Sequence, residues 1–187
     1  MGDATTSEVK KRAPDEPRVR LRDATLDDLD LLEAWEHPDV RSEFNDFGLP
    51  PRGSLRVPLT RGPLRDESHG LLIVERVEDG RPVGTVSWRA VRYGPNEGSK
   101  AWNIGIALIP EAHGHGLGAE AQRRLADELF ATTEVDRVEA STDIANIAEQ
   151  RSLARAGFVR EGIVRGAQYR GGSRHDLVNY SRLRNDP

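Results

Sequence analysis

Trp102-Asn103-Ile104-Gly105-Ile106-Ala107-Leu108-Ile109-Pro110-Glu111-Ala112-His113-Gly114-His115-Gly116-Leu117-Gly118-Ala119 is the stretch on which the reading of this chain turns. Trp102, Ile104, Ile106 and Leu108 share one face of a strand expected from Trp102 to Pro110, because alternate side chains of a strand point the same way. Gly105 weakens the strand interior and predicts a bulge or a close backbone approach. A glycine loop follows, His113 to Gly118. A helix then opens at Gly118 or Ala119 and runs to about Thr132, with Ala121, Leu125, Ala126, Leu129 and Phe130 on its apolar stripe. Strand, Gly-x-Gly-x-Gly and helix in that order make an anion site. The first N–H groups of a helix are unpaired and point outward, and the helix dipole adds positive charge there. Glycine lets backbone approach an anion with no Cβ in the way. The loop holds no Lys or Arg, so it must bind phosphate mainly with backbone. His113 and His115 add charge only when protonated.

Three phosphate ligands compete for such a loop. A Walker A loop ends in Gly-Lys-Ser/Thr, and Gly118-Ala119-Glu120 does not. A dinucleotide fingerprint is satisfied in relaxed form by Gly114, Gly116 and Ala119, with Glu139 further on as the acidic partner. That fingerprint normally follows the first strand of a βαβαβ half, whereas here about four strands come first. The pyrophosphate of coenzyme A is the third. A glycine-rich helix entry with no ligand is the structural alternative to all three.

Outward from this stretch, the periodicity gives the remaining elements. Arg18 to Arg22 alternates, with Val19 and Leu21 on one face. Thr25 starts a helix with Asp27 and Asp28 near its first turn, where the dipole favours carboxylates. Leu29, Leu32 and Trp35 follow at helical spacing, Pro38 ends the run, and a second short helix is expected near Asp39. Residues 45–69 carry several prolines and glycines with no period and read as a long loop. Leu71–Val77 and Pro82–Val91 are strands joined by the turn Glu78-Asp79-Gly80-Arg81. Beyond the central helix, Val135–Thr142 is a strand, Asn146–Ala156 a helix capped by Gly157, and Phe158–Arg165 and His175–Leu183 two last strands. The order predicts α/β or α+β with a mixed sheet. Trp35, Trp88 and Trp102 read as core or pocket wall.

The chain has 187 residues, which suits one domain with a sizeable core. Residues 1–17 read as a disordered tail, leaving 18–187 as the domain. The formal net charge is −4, a poor match to broad nucleic-acid binding. No apolar run approaches the roughly 20 residues that span a bilayer, and the N-terminus has no apolar signal core. The absence of cysteine excludes disulfides and a cysteine nucleophile, and fits a cytoplasmic protein. The five histidines show no metal-ligand spacing, so no metal is expected.

Three stretches resemble the GCN5-related N-acetyltransferase (GNAT) superfamily, in its RimJ/RimL-like branch. His113-Gly114-His115-Gly116-Leu117-Gly118 matches the family's Gln/Arg-x-x-Gly-x-Gly/Ala loop. Asn146-Ile147-Ala148-Glu149 through Ala156-Gly157-Phe158 matches the branch's Asn-x-x-Ser…Gly-Phe segment. His175-Asp176-Leu177-Val178-Asn179-Tyr180 resembles its last strand. The resemblance implies a mixed, mostly antiparallel, splayed sheet of about seven strands flanked by helices, with coenzyme A entering where neighbouring strands part. It implies an N-acetyltransferase that moves acetyl from acetyl-CoA directly to a primary amine, either a protein N-terminus or a small-molecule amine. A homodimer is compatible with it. Two other readings stay open: a non-catalytic CoA-binding or regulatory module, and a transferase of this fold that uses another acyl donor.

By the same resemblance, backbone of Ile106, Ala107 and Leu108 should meet the acetyl-pantetheine arm. His113, Gly114, His115, Gly116, Leu117, Gly118 and Ala119 should hold the pyrophosphate, and Asn146 should lie beside the pantetheine. His113 departs from the family's Gln or Arg. Glu149 departs from a Ser read as proton donor to the leaving thiolate, and as an acid it needs a pKa raised by burial. Glu36 and His37, after the first helix, are the candidate acceptor-side groups. Asn103 stands where some relatives carry a glutamate and cannot act as a base. An alkyl amine of pKa about 10.4 is neutral in about one part in several thousand at pH 7, a cost of about 4–5 kcal/mol. An α-amine costs about 1 kcal/mol and asks less of a base. A backbone N–H at the expected bulge is the candidate for polarising the thioester carbonyl.

Overall fold

The computed structural model describes residues 16–37, 40–48 and 55–186. The expected tail lies outside them up to residue 15. Val19–Asp23 is β1, and its register against β2 (His69–Arg76) sets the first edge of the sheet. β3 (Pro82–Arg92) and β4 (Lys100–Leu108) follow as antiparallel neighbours. β5 (Arg137–Asp143), β6 (Val159–Arg170) and β7 (Ser173–Leu183) complete one seven-stranded sheet in the order β1-β2-β3-β4-β5-β7-β6. Every pairing is antiparallel except β4 with β5. A mixed, mostly antiparallel sheet is therefore observed.

The helices take both faces. α1 (Leu29–Trp35) and α2 (Arg56–Arg61) pack Leu29, Leu32 and Leu59 against Ile73. α3 (Leu117–Thr132) packs Ala121, Leu125, Ala126 and Leu129 on the other face, against Leu72, Val74, Val86, Trp102 and Val138. α4 (Ile147–Arg155) adds Leu153 to the same core. β2 is thus buried on both sides, as its continuous apolar run Leu71-Leu72-Ile73-Val74 requires. The first helical segment opens with a reciprocal cap, the Asp28 carboxylate accepting from Thr25 N at 2.8 Å. Arg22 grips the same carboxylate at 2.8 Å and holds its pKa down.

Several expectations need correction. The 45–69 loop contains α2, which has one buried residue, Leu59, and so no apolar period to read. The expected helix near Asp39 falls partly outside the described residues, and Val40–Gly48 forms turns and bends. β4 pairs with β3 from Lys100 to Leu108 without a register shift, so Gly105 marks no bulge there. β6 continues to Arg170, five residues past its expected end. It is an edge strand exposed along most of its length and broken by register shifts, and this hides any alternation.

Candidate active site

β4 and β5 are joined by two residue pairs only, Trp102 with Val138 and Asn103 with Glu139. Beyond that rung the strands part. The β5-facing edge of Ile104–Leu108 then has no strand partner, and β5 turns its other edge to β7. Backbone N–H and C=O groups on such an edge are open to an extended ligand carrying amides. β3 supports the far side of this segment closely. A Cβ on Gly84 would meet Ala107 O at 2.2 Å and Leu108 Cα at 2.8 Å. The close backbone approach expected of Gly105 therefore belongs to Gly84 on the neighbouring strand.

The glycine loop lies at the head of this gap. Gly114 and Gly116 have φ of 78° and 73°, left-handed values that glycine adopts without a Cβ penalty. Gly116 is the N-cap of α3 and no side chain caps the helix, so the N–H groups of its first turn face outward. The helix begins at Leu117, one residue earlier than expected. His113 is exposed, and its Nε2 meets Leu108 O at 3.1 Å, tying the loop to the end of β4. A cation reaches the loop from far away in sequence. Arg18 Nη1 donates to His115 O at 3.0 Å, and its backbone N donates to Glu120 Oε1 at 2.9 Å. Arg18 escaped sequence reasoning because the contact spans 97 residues. Gly118 brings the pieces together: a Cβ there would stand 3.2 Å from Ser152 Oγ, 3.6 Å from Leu108 Cδ1 and 3.7 Å from Ile106 Cδ1.

α4 forms the opposite wall. Asn146 is its N-cap, with Oδ1 accepting from Glu149 N at 3.1 Å. This cap leaves Asn146 Nδ2 without a hydrogen bond among the described residues. Glu149 turns toward α3, where Gln122 Nε2 stands 3.5 Å from its Oε2 and 2.9 Å from Ser152 Oγ. Burial pushes the Glu149 carboxyl up to about 7, and the Gln122 N–H opposes that rise only in part. Gln122 itself is 1% exposed. Sequence reasoning passed over it because it sits among the apolar positions of α3, beside Ala121. A glutamine on a core stripe is the signal that was there to find.

Glu36 and His37 follow the end of α1. Glu36 Oε2 is ion-paired with Arg41 Nη2 at 2.9 Å, and His37 is exposed. The segment after α1 is fastened to the β6–β7 hairpin by Arg170, which donates to Glu43 O, pairs with Asp143 and lies 5.3 Å from the Phe44 ring centre. Asp143 also meets His175 Nδ1 at 3.2 Å and accepts from Ala145 N at 2.8 Å, just before α4. His175 thus has a structural contact, as does Asp176, which accepts from Gly166 N at 2.7 Å.

A separate open cavity of about 360 Å³ lies at the C-terminal half of α3, against Trp88, Lys100 and Trp102. In its lining Arg65 pairs with Glu128 at 3.5 Å, and Lys100 Nζ donates to the backbone oxygen of Glu67 at 3.0 Å. Among the described residues there is no group of three or more His, Asp or Glu that could hold a metal. No helix among them is long and apolar enough to cross a membrane.

A family model described as an acetyltransferase (GNAT) domain matches residues 18–159. The uncharacterized N-acetyltransferase YoaA of Bacillus subtilis (strain 168) is 25% identical over 169 residues, covering 88% of this chain and 92% of that protein. Among solved structures, spermidine N-acetyltransferase from Vibrio cholerae, in complex with CoA and spermine, superposes with a TM-score of 0.72. It is 17% identical and covers 90% of this chain and 97% of that one. Ribosomal-protein-S5-alanine acetyltransferase from Vibrio fischeri superposes with a TM-score of 0.70, at 21% identity, over 91% and 96% of the two chains. At these identities the superpositions speak for the fold, and they agree with the seven-stranded arrangement.

Proposed function

The chain belongs to the GNAT acetyltransferase family and is an acyl-CoA-dependent N-acyltransferase; from that premise we propose that it transfers acetyl from acetyl-CoA to a primary amine, with a peptide α-amine as the preferred acceptor. The observation that carries the reading is the unpaired edge of Ile104–Leu108 leading to an uncapped helix N-terminus at Gly116. A pantetheine arm has amides to match that edge, and a pyrophosphate matches the N–H groups of Leu117, Gly118 and Ala119. Arg18 supplies nearby positive charge that the loop's own sequence lacks. A dinucleotide is disfavoured because the loop follows the fourth strand of a largely antiparallel sheet.

In this reading the bound thioester supplies an activated acyl carbon and a leaving thiolate. The chain's own residues do the rest. Unpaired backbone N–H on β4 polarises the carbonyl, a role carried by the strand gap and needing no bulge. Glu149, whose carboxyl burial pushes up to about 7, gives its proton toward sulfur. The acceptor-side carboxylates are engaged: Glu36 by Arg41, and Glu139 beside Asn103 by Arg137 at 2.9 Å. With Glu36 and Glu139 both held in ion pairs, an α-amine of ordinary pKa about 7.7–8.0 suits the site better than an alkylamine.

Thermal unfolding with acetyl-CoA, CoA and NAD in parallel tests the donor. At about 100 times Kd, acetyl-CoA and CoA should each raise stability by about 2.7 kcal/mol, and NAD should not. A rate panel of peptide N-termini against polyamines and lysine side chains then tests the acceptor. Faster turnover of the polyamines would reverse the α-amine assignment.

A further inference from the structure

The fold gives no reason for a glycine at position 105. Gly105 stands in the interior of β4, where glycine is unfavourable, yet its φ is not positive and its pairing with Ser87 is in register. Among the described residues, a Cβ there would meet only Ser87 Oγ, at 3.2 Å, and a serine side chain can rotate away. What sets the position apart is its place beside the gap. Asn103 and Glu139 pair across two parallel strands, so two residues further on Gly105 stands level with Ser141, about 7 Å past that pair. Alternation puts both on the sheet face opposite α3, because Trp102, Ile104, Val138 and Ala140 fill the core on the α3 side. Gly105 and Ser141 are both exposed there.

That face is the one from which an amine can reach the thioester. In the proposed complex the carbonyl oxygen accepts from a backbone N–H of β4, and such a bond lies near the plane of the carbonyl group. The C–S bond continues along the strand edge, so the carbonyl plane follows the sheet and its two faces look out of the sheet's two sides. A nucleophile attacks across that plane. On the α3 side, Ile106 and Leu108 close against Gly118, with Ser152 beside it. On the other side, Gly105 brings no side chain. The amine lone pair forms the new C–N bond from there, and the C–S electron pair leaves with sulfur. Sulfur takes its proton from Glu149, and solvent returns to Glu149 the proton that nitrogen sheds.

We propose that Gly105 and the Ser141–Asn179 pair select the substrate amine: the bare face of Gly105 admits it, and the pair binds the first peptide group behind it. The assignment rests on the acetyl-transfer reading. Ser141 and Asn179 face each other on β5 and β7, with Ser141 Oγ 2.7 Å from Asn179 Oδ1. Whichever way round the Asn179 amide lies, one donor and one acceptor remain for a ligand. With Oδ1 toward the hydroxyl, Nδ2–H and the Ser141 lone pairs remain; with Nδ2 toward it, the Ser141 O–H and Oδ1 remain. A peptide group offers the matching C=O and N–H, whereas a polyamine offers donors only. The other polar groups at this edge are engaged: Glu139 by Tyr93 and Arg137, Asn103 by Glu139, and Asp143 by Arg170 and His175.

Three substrates read the pair separately from the chemistry: an alanine-led peptide, the same peptide with its first amide replaced by an ester, and trifluoroethylamine, which has no peptide group. The wild type should favour amide over ester by about tenfold in kcat/KM. Ser141→Ala with Asn179→Ala should cut that preference to about twofold, leaving the ester and trifluoroethylamine within about threefold of wild type. Gly105→Ala, made also in a Ser87→Ala background that removes the oxygen at 3.2 Å, should melt no lower than its parent and bind acetyl-CoA within about threefold. Its kcat/KM for the peptide should fall by about tenfold or more. Equal use of amide and ester by the wild type overturns the proposal. So does a double variant that slows all three substrates alike, or full peptide turnover by Gly105→Ala in both backgrounds. Each of these leaves acetyl transfer to peptides standing. Polyamines turned over faster than any peptide would instead overturn the α-amine reading, and this assignment with it.

Discussion

Asn103 and Glu139 form the last rung between β4 and β5, paired in register and joined by Asn103 Nδ2 to Glu139 Oε1 at 3.4 Å. The rung is braced from outside. Glu139 Oε2 accepts from Tyr93 OH at 2.6 Å and Arg137 Nε at 2.9 Å, and Arg137 forks onto Glu161 at 2.6 and 2.7 Å. Beyond it the facing edges of β4 and β5 have no strand partner, so this network marks where the two strands part.

Removing the brace should loosen that junction. Glu139→Ala leaves Tyr93 OH and one arm of Arg137 without an acceptor, for a loss of about 2 kcal/mol and a midpoint lower by about 4–8 °C. Asn103→Ala should cost less in the Glu139→Ala background than alone, with a coupling of about 0.5–1 kcal/mol in a double-mutant cycle. Equal costs in both backgrounds would mean the two side chains act independently.

Gly84→Ala tests the support behind the edge proposed for pantetheine. The added Cβ would press on Ala107 O at 2.2 Å, and backbone cannot yield as a side chain would. The expected result is a loss of about 1–3 kcal/mol in stability together with weaker acetyl-CoA binding by calorimetry. Unchanged affinity at reduced stability would detach the Ala107–Leu108 edge from donor binding.

Much of this architecture was written in local periodicity. The alternation of Trp102, Ile104, Ile106 and Leu108 and the stripe of α3 place the central strand and helix because both bury one face against the same core. What escaped was non-local. Gly105 announced a tight approach, but the contact that forbids a side chain is at Gly84, a neighbour only once β3 and β4 pair. Arg18 meets the glycine loop through the packing of β1 on α3, and Gln122 gains meaning only when α4 brings Glu149 and Ser152 to it. The backbone elements of the candidate site were legible; the side chains brought to them depend on contacts no periodicity encodes.

Gly116→Ala addresses the loop. At φ 73° an alanine pays about 1 kcal/mol, and its Cβ would lie 2.9 Å from Arg18 Nη1. Arg18 must move off His115 O, and acetyl-CoA affinity should fall by about three- to tenfold, as measured by calorimetry. Arg18→Ala should lower affinity in the same direction with little strain. Retained affinity in both variants would remove Arg18 from the donor site.

The Arg170–Asp143 pair is buried, with side chains 8% and 3% exposed. Arg170→Met strands the Asp143 carboxylate and should cost about 3–5 kcal/mol. Changing both, Arg170→Met with Asp143→Leu, should cost less than the single change, since no charge is left buried. Denaturant midpoints of the three proteins decide this, and a double variant less stable than the single would mean the ion pair itself holds the hairpin in place.

Glu149→Gln separates catalysis from stability through pH. In the folded protein the carboxyl titrates near 7, above its ordinary 4.5, so between these values the native state holds a proton that the unfolded chain has released. Wild-type stability should therefore fall as pH rises from about 4.5 through 7, by about 1–3 kcal/mol after allowing for the open rim of the carboxyl group. Glutamine carries no such proton. The variant should match the wild type below pH 4 and gain a few degrees of melting temperature over it at pH 8. Over the same range its kcat should drop by about a hundredfold while acetyl-CoA binding persists, the loss expected for a missing general acid. A stability difference independent of pH would show that Glu149 is not held in its acid form by burial, and the proton would then have to reach sulfur from another group.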